Sequence, residues 1–182
     1  VAVVVPAYRV EGKITGVLRR MPAFVDRIVV VDDCSPDETA SRVAGFPDPR
    51  VTLVRHPHNQ GVGGATVTGI QIAVDQGMDI VVKCDGDGQM DPAAIPLLLQ
   101  PILDGRADHC KGCRFHHPRE LRSMPVTRLA GNIALTFLTK AASGYWDTMD
   151  PVNGFFATRA DVFRTLPLHS ISRRSFFETD LL

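Results

Sequence analysis

Ile80-Val81-Val82-Lys83-Cys84-Asp85-Gly86-Asp87-Gly88-Gln89 runs from an apolar stretch directly into two carboxylates separated by one glycine. A short apolar run of this kind reads as a strand buried on both faces, and the residues that follow lie at its carboxyl end, where open α/β sheets bind their ligands. Gly86 lets the backbone turn and approach a bulky anion, while the hard carboxylate oxygens suit Mg²⁺ or Mn²⁺ better than a soft metal. The natural cargo of such a site is a diphosphate. An EF-hand reading fails, because that calcium loop needs Gly at its sixth position and Glu at its twelfth. Here those positions hold Met90 and Pro96.

The pattern of apolar run, polar loop and helical spacing repeats on both sides of this stretch. Val1-Ala2-Val3-Val4-Val5 reads as a buried strand stopped by Pro6, and residues 11–20 carry Ile14, Val17, Leu18 and then Met21 at helical spacing. Ile28-Val29-Val30-Val31 meets Asp32-Asp33-Cys34-Ser35-Pro36, where Ser35 is expected as an N-cap with Pro36 at the first helical position. Val51 to Val54 gives a third strand. The Gly-rich turn Asn59-Gln60-Gly61-Val62-Gly63-Gly64 leads into a helix ending near Gln76. Residues 79–84 form the fourth strand, 92–103 a helix, 108–113 another strand and 126–142 a long amphipathic segment. Alternating strands and helices with short loops predict an α/β fold, a three-layer α/β/α sandwich around a mostly parallel sheet. Pro6-Ala7-Tyr8-Arg9-Val10-Glu11-Gly12 follows the first strand where a dinucleotide-binding protein would carry G-x-G-x-x-G, which disfavours that class.

With 182 residues and 45% hydrophobic content, the chain can bury one good core, and a single catalytic domain over residues 1–182 is expected. Twenty basic residues balance twenty acidic ones, so no global field attracts nucleic acid or an anionic bilayer. No stretch reaches the roughly 18 apolar residues of a membrane span and no leader is evident, so the chain reads as cytoplasmic. It opens inside a strand and closes just after Glu178 and Asp180, which predicts a domain truncated at both ends, with any membrane segment in a C-terminal continuation. Cys34, Cys84, Cys110 and Cys113 are too sparse for a disulfide framework. Cys110-x-x-Cys113 falls in a strand-like segment without a second ligand pair, so strand packing is expected there before zinc or redox chemistry.

Pro6-Ala7-Tyr8, Val31-Asp32-Asp33-Cys34-Ser35, Asn59-x-Gly61, Asp85-x-Asp87-x-Gln89, Gly112-Cys113-Arg114-Phe115 and Gly154-Phe155-Phe156 together resemble family 2 glycosyltransferases of the GT-A fold, the nucleotide-diphospho-sugar transferase fold. The likeness is nearest to the dolichyl- or polyprenyl-phosphate sugar synthases, and it spans nearly the whole chain in the family's order. The resemblance implies that Pro6, Ala7 and Tyr8 line the nucleotide pocket, that Val31 and Asp33 contact base and ribose, and that Gly86 sits against the diphosphate. Asp85 and Asp87, with Gln89 as a further polar ligand, would hold the Mg²⁺ or Mn²⁺ that bridges a nucleoside-diphosphate sugar donor. Arg114 and Arg128 match two arginines placed around the phosphate of a polyprenyl-phosphate acceptor, a role that suits the planar guanidinium fork. Glu178-x-Asp180 resembles the acidic motif near the end of the catalytic domain.

These implications point to metal-dependent transfer of a sugar to a polyprenyl phosphate, with inversion, at the cytoplasmic face of a membrane reached through regions outside this chain. A phosphate acceptor is already ionised and needs no strong base, whereas a sugar hydroxyl would call on Asp180 or Glu178. Transfer to a cell-surface glycan or lipid-linked oligosaccharide is the alternative on the same fold. A non-catalytic nucleotide-sugar-binding relative is the alternative of another class, because Arg9 and Val10 stand where the family commonly has Asn and Glu. A nucleotidyltransferase is disfavoured for want of a Gly-rich basic loop after the first strand. The processive Q-x-x-R-W signature does not occur within residues 1–182 and would fall, if present, after Leu182.

Overall fold

The computed structural model describes residues 1–113, 131, 136–137, 140–141, 144, 150, 153–174 and 177–180. Strands β1 (Ala2–Ala7), β2 (Arg27–Asp32), β3 (Val51–Arg55), β4 (Ile80–Lys83), β5 (His109–Lys111) and β6 (Phe156–Arg159) form one sheet in the order β3-β2-β1-β4-β6-β5. Strands β1 to β4 are mutually parallel, and β6 runs antiparallel between β4 and β5. The described helices are α1 (Ile14–Arg19), α2 (Thr39–Ala44), α3 (Gly61–Asp75), α4 (Ile95–Leu103), α5 (Ala160–Thr165) and α6 (Phe177–Asp180).

The period of two along each strand sorts the core into layers. Val3, Val5, Ile28, Val30 and Val82 pack with Ile14, Leu18, Val43, Ile95 and Leu99 from α1, α2 and α4. Their neighbours Ala2, Val4 and Val81 face the other way, onto Ile70, Phe163 and Phe177 from α3, α5 and α6. Both faces of β1 and β4 are thereby covered, which is why they read as continuous apolar runs. The expected α/β/α sandwich with a mostly parallel sheet is the architecture observed.

Three local expectations change. Pro6 does not stop β1; it pairs in register with Val31, and β1 continues to Ala7. The β4 ladder ends at the Val4–Lys83 pair, and the Pro6 carbonyl then accepts the Gly86 N–H at 3.2 Å. The missing proline N–H therefore faces a side where no ladder acceptor remains. Ser35 is not an N-cap. Helix α2 begins only at Thr39, and the Ser35 hydroxyl accepts the Arg9 N–H at 3.1 Å, bracing the loop after β1 with the loop after β2. Gly61, Gly63 and Gly64 lie inside the first turn of α3 and not in a turn before it. The expected helix over 126–142 falls almost entirely outside the described residues.

Candidate active site

The sheet order reverses between β1 and β4, and ligands of open α/β sheets bind in the crevice beyond the strand ends at such a point. A cleft of about 340 Å³ opens there, lined by Pro6, Ala7, Tyr8 and Val10 after β1, Asp33 after β2, Asn59, Gly61, Val62 and Ala65 at the entry to α3, and Asp85, Gly86 and Asp87 after β4. The structure thus brings Pro6, Ala7, Tyr8, Asp33, Asp85, Gly86 and Asp87 together, from three separate strand ends. Tyr8 presents its ring to solvent at 45% exposure, the geometry of a stacking surface.

Two expected residues stand elsewhere. Val31 is fully buried with Val29 and Ala65 beneath α3, because it shares the parity of Val29 along β2, so its side chain does not reach the cleft. Gln89 is exposed and outside the cleft lining; its backbone N–H donates to Asp87 Oδ1 at 3.0 Å and pins that carboxylate in a local turn. Arg114 and Arg128 lie outside the described residues, as does the side chain of Asp180, whose backbone belongs to α6.

One wall of the cleft is built around Asp33. Its N–H donates to the Ala7 carbonyl at 2.9 Å, joining the ends of β1 and β2. Oδ1 accepts from His56 Nδ1 at 2.7 Å and from the Gln60 N–H at 2.8 Å, and Oδ2 accepts the Gly61 N–H at 2.8 Å. A carboxylate only accepts, so a neutral His56 carries its proton on Nδ1 and takes the Thr68 hydroxyl on Nε2 at 2.9 Å. Asn59 Nδ2 completes the wall by donating to the Asp33 carbonyl at 3.1 Å. The neighbouring Asp32 is buried, with Oδ2 accepting from Arg55 Nε at 3.4 Å.

The glycines at the start of α3 are required by packing. A Cβ on Gly63 would run into the Ser172 carbonyl oxygen and stand 2.9 Å from Phe177 Cβ, while the Gly64 N–H donates to the Arg173 carbonyl at 3.1 Å. The N–H groups of Gln60, Gly61 and Gly64 are thus taken by Asp33 and Arg173, and the chain after α5 lies directly against this helix start.

On the other wall, Asp85 is pushed up from the ordinary carboxylate range by burial, opposed by Lys83 and reinforced by Asp87. Lys83 Nζ lies 2.7 Å from Asp85 Oδ1 and 3.7 Å from Glu178 Oε1. Neither Nζ nor Oδ1 has a partner of hydrogen-bond alignment among the described residues, so the contact is an ion pair with bonding capacity left over. Glu178 is likewise raised by burial, and its carbonyl accepts from Lys111 Nζ at 2.9 Å. Burial also drives Lys111 down to about 8 and the Cys84 thiol up to about 12, leaving Cys84 an unreactive core residue.

This donor set fits a hard divalent cation. Asp85 and Asp87 offer carboxylate oxygens on one side of the cleft, and Mg²⁺-type ions take one or two carboxylates together with substrate phosphates and water. No group of three or more His, Cys, Asp and Glu side chains able to hold a metal on its own occurs among the described residues, including around Cys110 and Cys113. His56, Thr68, Lys83 and Lys111 escaped the sequence reading. Lys83 alone carried a signal, as a charged residue inside an otherwise apolar strand.

Residues 2–166 match the family model for glycosyl transferase family 2. The chain is 33% identical over 178 residues to the UDP-N-acetylglucosamine--dolichyl-phosphate N-acetylglucosaminyltransferase of Methanococcus voltae, covering 90% of this chain and 70% of that protein. It is 28% identical over 194 residues to the dolichol-phosphate mannosyltransferase of Pyrococcus furiosus, covering 98% of this chain and 51% of that one. Among solved structures, glucosyl-3-phosphoglycerate synthase from Mycobacterium tuberculosis, in complex with Mn²⁺, UDP and phosphoglyceric acid, superposes with a TM-score of 0.76 at 22% identity, over 99% of this chain and 61% of that chain. That likeness is one of fold, the GT-A fold. By its sequence match, its sheet and its cleft, the chain belongs to glycosyl transferase family 2, among relatives that include polyprenyl-phosphate sugar synthases.

Proposed function

We propose that residues 1–182 are the catalytic domain of a metal-dependent inverting glycosyltransferase that moves one sugar from a UDP- or GDP-linked donor to a polyprenyl or dolichyl phosphate. The observation that carries the reading is the cleft at the β1/β4 crevice, where the Asp85-Gly86-Asp87 turn faces Pro6-Ala7-Tyr8. Relatives named for dolichyl-phosphate acceptors and a like-folded enzyme solved with Mn²⁺ and UDP support it.

In this account Tyr8 stacks on the base, and Asp33, which lines the cleft beside it, contacts the nucleoside. Asp85 and Asp87 hold the divalent cation, with Gln89 positioning Asp87 through its N–H. The bound cation supplies Lewis-acid stabilisation of the leaving diphosphate. Arg114 and Arg128 hold the acceptor phosphate in line behind the sugar. A phosphate oxygen forms the new bond to the anomeric carbon as the bond to the diphosphate oxygen breaks, and the electron pair leaves with the diphosphate. No proton need be removed from an ionised phosphate, so Asp180 and Glu178 are spared the role of base. Glu178 suits another task, because it is already committed to Lys83. No helix among the described residues is long and apolar enough to cross a membrane.

The test is transfer from UDP- and GDP-sugars to a short polyprenyl phosphate, compared with transfer to free glycans. Product on the lipid phosphate, abolished by Asp87→Ala, is expected. Exclusive transfer to glycans would overturn the acceptor assignment.

A further inference from the structure

Lys83 stands out in its strand. Ile80, Val81 and Val82 precede it, Cys84 follows, and position 83 nonetheless carries an ammonium at 0% exposure. A buried ammonium is strongly unfavourable unless it is paired. The pairing comes from several elements: Asp85 Oδ1 at 2.7 Å after β4, Glu178 Oε1 at 3.7 Å on α6, and the Phe177 ring with its centroid at 5.2 Å. The remaining side is Gly154, just before β6. A Cβ there would meet Lys83 Nζ and stand 3.2 Å from Glu178 Oε1 and 3.3 Å from Met90 Cε. Met90 Sδ in turn accepts the Asp85 N–H at 3.3 Å. The ammonium therefore occupies a cage whose walls are the neighbours of Asp85 itself.

We propose that Lys83 is a positioning residue of the metal site: clamped between Asp85 and Glu178 in the space left by Gly154, it holds the Asp85 carboxylate in the orientation that shares a divalent cation with Asp87. The inference rests on the donor-site reading above. Lys83 is the partner the structure gives the Asp85 carboxylate among the described residues, so without it a buried ligand oxygen loses its anchor. The same ammonium ties α6 to the end of β4. A purely electrostatic role would act in the opposite direction, since a positive charge beside a metal ligand repels the incoming cation. The sign of the effect of removing Lys83 thus separates positioning from repulsion.

The experiment is Mn²⁺ binding, read from the electron paramagnetic resonance signal of free Mn²⁺, with UDP or GDP present, on the wild type, Lys83→Met and Gly154→Ala. Lys83→Met keeps the length of the side chain without its charge. Gly154→Ala keeps every charge but pushes the ammonium aside, and the obstructed atom is the far end of a flexible chain, so the fold tolerates it. Both variants should bind Mn²⁺ about tenfold more weakly or worse, the range expected for loss of a ligand-orienting group, with metal-free nucleotide binding unchanged. Equal or tighter Mn²⁺ binding by a folded Lys83→Met overturns the proposal. Should that variant not fold, Gly154→Ala decides in the same way, weaker binding supporting and unchanged binding overturning. A wild type that takes up no Mn²⁺ with either nucleotide overturns the donor-site reading itself, a failure distinct from that of Lys83.

Discussion

His56 Nδ1 sits 2.7 Å from Asp33 Oδ1, with both side chains at 5% exposure or less. Through this pair a residue after β3 fixes the carboxylate that caps α3, since the Asp33 oxygens also accept the N–H groups of Gln60 and Gly61. The residue at the helix N-cap, Gln60, makes no side-chain cap of its own. Asp33→Ala removes three accepted hydrogen bonds to a charged group and should destabilise the fold by about 3 kcal/mol, whereas Thr68→Val, at the far end of His56, should cost only about 1 kcal/mol. Urea denaturation of both variants checks the ratio; equal effects would show that Asp33 is not the centre of this wall.

Arg9 adopts a left-handed backbone with φ 56° on the loop between Tyr8 and Val10. Asn tolerates that region far better than a long side chain. Arg9 therefore carries local strain, and Val10 still lines the cleft. Arg9→Asn should stabilise the protein by about 0.5–1 kcal/mol, seen as a rise of about 1–4 °C in melting temperature. A lower melting temperature would mean that the Arg9 guanidinium, 5.7 Å from the Tyr8 ring centroid, contributes more than the strain removes.

Two glycines in helices should respond oppositely to alanine. A Cβ at Gly63 meets the backbone of Ser172, so Gly63→Ala should destabilise by about 1–3 kcal/mol. Gly16, inside α1, has nothing within 4 Å of a built Cβ, and Gly16→Ala should stabilise by about 0.5–1 kcal/mol. Thermal melts of the pair test whether residues 172–173 pack on α3 as described.

His109 on β5 is held down to about 4 by burial, with Nδ1 on the Thr158 hydroxyl at 2.7 Å and Nε2 buried without a partner among the described residues. Its folded value is depressed below the unfolded 6.5, so the unfolded chain binds the extra proton first. The stability this ring contributes is full above pH 6.5 and is lost as pH falls toward 4, by at most about 3 kcal/mol. Asp85 and Glu178, shifted upward by burial, act in the opposite sense, so the difference between wild type and His109→Gln isolates the ring. That difference should shrink steadily from pH 7 to pH 4 in denaturation curves; a constant difference would place His109 in water.

Much of the site was legible because it lies at the ends of continuous apolar runs. The stretch from Ile80 to Asp87 and the pair Val31 and Asp33 could be placed at strand ends without knowing what the strands pack against. What was not legible depended on partners distant in sequence. Pro6 is harmless in β1 only because β4 has already ended beside it. Ser35 looks like an N-cap until the Arg9 N–H takes its hydroxyl. Gly61, Gly63 and Gly64 resemble a turn, yet it is the Arg173 and Ser172 carbonyls that leave no room for a side chain at Gly61 and Gly63. Strand alternation already places the Val31 side chain, like that of Val29, under α3.

The central claim is that Asp85 and Asp87 complete a nucleotide-diphosphate site only with a divalent cation. Thermal unfolding of the chain with UDP, GDP or their sugar conjugates, with and without Mn²⁺ or Mg²⁺, tests it on wild type and Asp87→Ala. One nucleotide at about one hundred times its dissociation constant should stabilise the wild type by about 2.7 kcal/mol, a rise of about 5 °C or more, in the presence of metal and far less in its absence. The rise should vanish in Asp87→Ala. An equal rise without metal, or in Asp87→Ala, would contradict the account.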